Sequence, residues 1–146
     1  MEESRIFEKK NIILFSYIIA FVFLNVALYY LTRCGGLISG LAEILFLLLY
    51  PVGAFLYGNT TGDGVRSFIA GTLSYASFIV MIMLTTDISK DFIELGYLPS
   101  FIGYHLLLLV VIGLIGYFAS RKKRTSYIIL FILAGVWILT LISGIS

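Results

Sequence analysis

Charge is scarce in this 146-residue chain: only 12% of its residues are Asp, Glu, Lys or Arg, while 60% are apolar. Soluble globular domains carry about 25% charged and roughly 45–50% apolar residues. A water-soluble fold of this length has too little interior to hide such an apolar excess. Lipid is therefore the expected solvent. Glutamine is absent, and Cys34 and His105 are the sole members of their types. A single cysteine excludes an internal disulfide, and no Cys/His cluster points to zinc, iron–sulfur or any other cofactor. The net charge of +2 is too small for a nucleic-acid-binding face. HExxH, GxxxxGK[ST] and GxGxxG are all missing, as are paired catalytic aspartates, so no enzyme is expected.

What is present is apolar run after apolar run. A helix needs about 20 residues to cross roughly 30 Å of hydrocarbon. Windows of that kind lie at 11–32, 37–57, 67–85, 100–119 and 127–145, the second interrupted only by Glu43. Backbone groups in lipid must be satisfied within the segment, and no alternating barrel pattern appears, so each window reads as a helix. The expected fold is all-α, a single domain and an integral membrane bundle of five spans. The first span follows the leader MEESRIFEKK, which carries three glutamates, and precedes no small-x-small cleavage site, which reads as an uncleaved anchor.

Lysine and arginine set the orientation. With the N-terminus inside, Arg5, Lys9, Lys10, Arg66, Arg121, Lys122, Lys123 and Arg124 fall on the inner side, leaving Arg33 and Lys90 outside. That asymmetry predicts an N-in, C-out protein of the cell membrane. Tyr29, Tyr30, Tyr97 and Tyr104 then mark the outer interface, and Tyr57, Tyr117 and Tyr127 the inner one. Gly35 and Gly36 predict a tight outer turn, and 58–66 an inner loop. In the longest connection Ile88, Phe92 and Leu95 recur at i, i+4, i+7, which predicts a short helix along the outer interface.

Three polar residues stand out inside the spans. Glu43 lies about six residues into the second span, roughly 9 Å below the outer surface. A lipid-facing carboxylate there costs about 2–3 kcal/mol or more, so Glu43 is expected to face the bundle and find a partner. Asn25 and His105 fall at similar depth on the first and fourth spans, giving a possible layer of Asn25, Glu43 and His105. One Glu, one His and one Asn make too thin a set to predict a metal site. Small residues on the third (Ala70, Gly71, Ser74, Ser77), fourth (Gly113, Gly116), second (Gly36, Gly40) and fifth (Ala134, Gly135, Ser143, Gly144) spans predict close helix packing. Pro51 removes one backbone donor from the second span and predicts a bend at 47–51. The run Arg121, Lys122, Lys123, Arg124 reads as a topogenic signal or a contact for anionic lipid.

Two functions fit these features. The first is a non-catalytic membrane protein that packs against itself or a membrane partner within the bilayer. The second is a small transporter or channel subunit built around Asn25, Glu43 and His105.

Overall fold

The computed structural model describes residues 2–85 and 98–144. Five helices form it: α1 (Glu2–Thr32), α2 (Gly36–Thr61), α3 (Gly64–Thr85), α4 (Leu98–Ser120) and α5 (Arg124–Gly144). Each is long and apolar enough to cross a membrane, with candidate spans at Glu8–Thr32, Gly36–Thr61, Gly64–Leu84, Ser100–Ser120 and Arg124–Leu141. The interfacial helix expected at 87–95 lies outside the described residues.

The turns explain where the helices stop. Gly35 and Gly36 carry φ of +74° and +62°, the left-handed values that let the chain reverse within a few residues. Ser39 clamps this turn by donating its hydroxyl to the Thr32 carbonyl at 2.8 Å. The expected 58–66 loop is much shorter than the sequence indicates. Thr60 and Thr61 stay helical by bonding their hydroxyls back to Leu56 and Tyr57 carbonyls at 2.8 Å, so polar residues extend α2 past its apolar window. Only Gly62 and Asp63 separate α2 from α3. Gly62, at φ +65°, closes α2 through a hydrogen bond from its N–H to the Gly58 carbonyl at 3.0 Å. Asp63 caps α3, its Oδ1 accepting the Arg66 N–H at 3.2 Å.

Every helix packs on its sequence neighbour, and α4 is the hub. It shares its largest interface with α3, a slightly smaller one with α2, and carries most of the packing of α5, while α1 lies against α2 and α3. Close approach at the hub depends on glycine. A Cβ on Gly116 would collide with the Ser67 carbonyl, and one on Gly58 with the Gly116 carbonyl and Ala119. A Cβ on Gly71 would sit 2.7 Å from the Ile112 carbonyl oxygen. The small residues of α3 and α4 thus serve as the sequence predicts, whereas Gly36, Gly40 and Gly135 meet nothing within 4 Å. Outward faces are apolar: Phe15, Phe23 and Phe131 are 67%, 72% and 81% exposed, suited to lipid tails.

Candidate functional site

Asn25 of α1 is 1% exposed and bonded at both ends of its amide. Its Nδ2 donates to Ser77 Oγ of α3 at 2.8 Å, and its Oδ1 accepts the hydroxyl of Tyr50 of α2. Ser77 passes its own proton to the Ser74 carbonyl at 2.6 Å. One amide therefore joins three helices in a low-dielectric interior, where leaving either side unmade would cost about 1–3 kcal/mol.

His105 of α4 is paired in a similar way. Its Nδ1 shares a hydrogen bond with the Tyr75 hydroxyl of α3 at 2.8 Å, and the Phe101 ring lies 4.2 Å from the imidazole. Tyr50 and Tyr75 meet edge to face at 5.2 Å, and Trp137 of α5 meets Tyr75 the same way at 5.4 Å. Phe46 and Phe78 complete this aromatic cluster at 4.5 Å from each other.

Trp137 also repairs the backbone at Pro51. In an unbroken helix the N–H at position 51 would bond to the carbonyl of Leu47, and proline has none to offer. The Trp137 indole Nε1 donates to that carbonyl instead, at 2.8 Å. The helix continues through Pro51 with its orphaned acceptor satisfied from a neighbouring helix.

These aromatic residues floor a cleft of about 280 Å³ that also exposes Glu43 and Leu141. Its volume is near the lower end of small-molecule sites, roughly 300–1,000 Å³. Glu43 does not pair with Asn25 or His105 as the sequence suggested. Its carboxylate lies 3.3 Å from Ser39 Oγ, whose one proton is shared with the nearer Thr32 carbonyl, and stays exposed on the cleft side of α2. The three polar residues of the expected layer are thus not bonded to one another. Asn25 and His105 stand behind the cleft and hold Tyr50 and Tyr75, while Glu43 lies on its surface.

The opposite end of the bundle carries the charges. Asp63 Oδ2 meets Arg66 Nη1 at 2.5 Å and Lys10 Nζ at 3.6 Å, and Arg66 Nε donates to Asn11 Oδ1 at 3.2 Å. Partial burial pushes the Asp63 carboxyl up, but the Arg66 N–H and guanidinium, helped by Lys10, outweigh it and hold it below the usual range. Arg121, Lys122, Lys123 and Arg124 are all exposed in the α4–α5 turn, with the Arg121 guanidinium 4.8 Å above the Tyr117 ring. Among the described residues no three His, Cys, Asp or Glu side chains come together as a metal site.

Sequence reasoning missed Tyr50, Tyr75 and Trp137. A signal was available: Tyr50 and Tyr75 lie mid-span, outside both aromatic belts, where a hydroxyl must find a partner. No protein-family model matches this chain, and comparison with curated proteins and solved structures finds none similar to it.

Proposed function

We propose that this chain is a small multi-pass membrane protein that works without catalysis, as a transporter subunit that takes a small amphiphilic molecule into its cleft. The observation that carries this proposal is the construction of the cleft. Its aromatic floor is fixed from behind by Asn25, His105 and the Trp137–Leu47 bond, an arrangement that favours a preformed site over loose packing. Among the described residues no feature of this kind favours intramembrane association with itself or a partner, the other function suggested by the sequence.

Orientation follows from the basic asymmetry. The Asp63 end, with Lys10, Arg66 and the 121–124 run, lies on the cytoplasmic side of the cell membrane, and the cleft opens toward the outside. The 121–124 run contacts anionic headgroups, each basic residue contributing about 1 kcal/mol.

Proteoliposomes test the proposal. A series of small aromatic solutes carrying positive, zero or negative charge is offered to the reconstituted protein. Saturable uptake of at least one is expected, and it should be lost when Leu141→Trp fills the cleft. No uptake of any member by the wild-type protein would overturn the proposal.

A further inference from the structure

We infer that the molecule this cleft accepts is an organic ammonium ion, a cationic head on a small apolar body. The inference rests on the binding role proposed above and concerns the chemistry of the occupant.

Three observations favour a cation. First, among the described residues Glu43 is the one charged side chain on the cleft wall. Among the described residues its one hydrogen bond is a share of the Ser39 proton, and no lysine or arginine forms an ion pair with it. Its charge is left for something else to balance, at a depth where an unbalanced carboxylate is costly.

Second, four of the donors around the cleft are already engaged, the Tyr29 hydroxyl standing apart from them. The Tyr50 hydroxyl donates to Asn25, the Trp137 indole to the Leu47 carbonyl, and the Thr32 hydroxyl to the Tyr29 carbonyl at 2.8 Å. The Tyr75 hydroxyl is bonded to His105. An anion entering here would meet a carboxylate while these N–H and O–H groups are turned away from it.

Third, the rings that remain open to an occupant are those of Tyr29, Phe46 and Phe78, half-buried at the cleft, while Tyr50, Tyr75 and Trp137 are buried behind them. The faces of aromatic rings carry partial negative charge and attract cations, most strongly where water is excluded, and quaternary ammonium groups are recognised in this way. One lining ring already holds a cation in this way, with the Arg33 guanidinium 4.6 Å from the Tyr29 ring centroid. A carboxylate beside a packed set of aromatic faces attracts an ammonium head, while Leu141 and Met81 receive its apolar body.

The test compares three solutes of nearly one shape: benzyltrimethylammonium, its uncharged carbon isostere neopentylbenzene, and phenylmethanesulfonate. Binding to the purified wild-type protein in detergent is measured by equilibrium dialysis, with protein-free micelles subtracted. The ammonium is expected to bind at least about tenfold more tightly than the isostere, and the sulfonate most weakly. In Glu43→Gln the ratio of ammonium to isostere should fall several-fold while the isostere is unaffected, a comparison that needs only that the variant still bind the isostere. Equal wild-type affinity for ammonium and isostere would overturn the cationic assignment and leave the site standing. Binding of none of the three would remove the site and the assignment together.

Discussion

The indole of Trp137 and the carbonyl of Leu47 are 2.8 Å apart, and that carbonyl is the one Pro51 deprives of its helical donor. A helix defect in α2 is therefore also the point at which α5 is fastened to it, and the two features should be energetically coupled. Interhelical hydrogen bonds in membranes average about 0.6 kcal/mol and reach about 1.7 kcal/mol. Trp137→Phe should lose such a bond along with packing area. In a Pro51→Ala background residue 51 regains its N–H, and the cost of Trp137→Phe should fall by about 1 kcal/mol. Unfolding by sodium dodecyl sulfate in mixed micelles, followed by helicity, measures this cycle. Identical costs in both backgrounds would mean that Trp137 stabilises by packing alone.

Two tyrosines should answer differently to loss of a hydroxyl. Tyr50→Phe strips Asn25 Oδ1 of its donor and should cost about 1–2 kcal/mol. The Tyr57 hydroxyl is buried without a hydrogen-bond partner among the described residues, so Tyr57→Phe should be neutral or stabilising. The same unfolding assay compares them. A larger loss at Tyr57 than at Tyr50 would contradict both assignments.

Glycine substitutions probe the hub. Gly116→Ala drives a methyl group into the Ser67 carbonyl, backbone against backbone, and should destabilise by about 2 kcal/mol. Gly40→Ala has open space around it and should gain up to about 1 kcal/mol from helix propensity. Thermal stability in one detergent should separate the pair in opposite directions.

Acid should loosen the Asp63 end. The folded carboxyl sits below its ordinary value of 3.8, so its contribution is fully present well above that pH. That contribution is lost as pH falls from the ordinary value through the lower folded one, when the protonated acid releases Arg66 and Lys10. Asp63→Asn keeps a cap for α3 but has no such titration, so its stability should be flatter with pH in this acid window. Hydrogen exchange at the start of α3, measured on both proteins between about pH 3 and 6, reads the difference. Parallel profiles would show that Asp63 does not titrate against these partners.

How much of this was legible in the residues differs by level. Five spans follow from apolar windows alone, because lipid imposes a helix on each of them. Their ends were less legible. Thr60 and Thr61 look like loop residues by composition, yet their hydroxyls bond back to the preceding turn and extend α2. The depth of Asn25, Glu43 and His105 could be counted from the span ends, but their rotation could not. Depth brought the three together on paper. Helix rotation gives Asn25 to Tyr50 and Ser77, gives His105 to Tyr75, and leaves Glu43 facing the cleft. Helices that are apolar all round have almost no amphipathic bias to report which side faces inward, so the partners had to come from the packed structure.

The most direct measurement uses Trp137, the chain's one tryptophan and a wall of the cleft. A bromine atom quenches indole emission only near contact, so 4-bromobenzyltrimethylammonium reports occupancy of the site itself. The expected result is quenching that saturates with concentration and is reversed by unbrominated benzyltrimethylammonium. Quenching that rises linearly without saturation and is untouched by the competitor would contradict a cation site at Trp137.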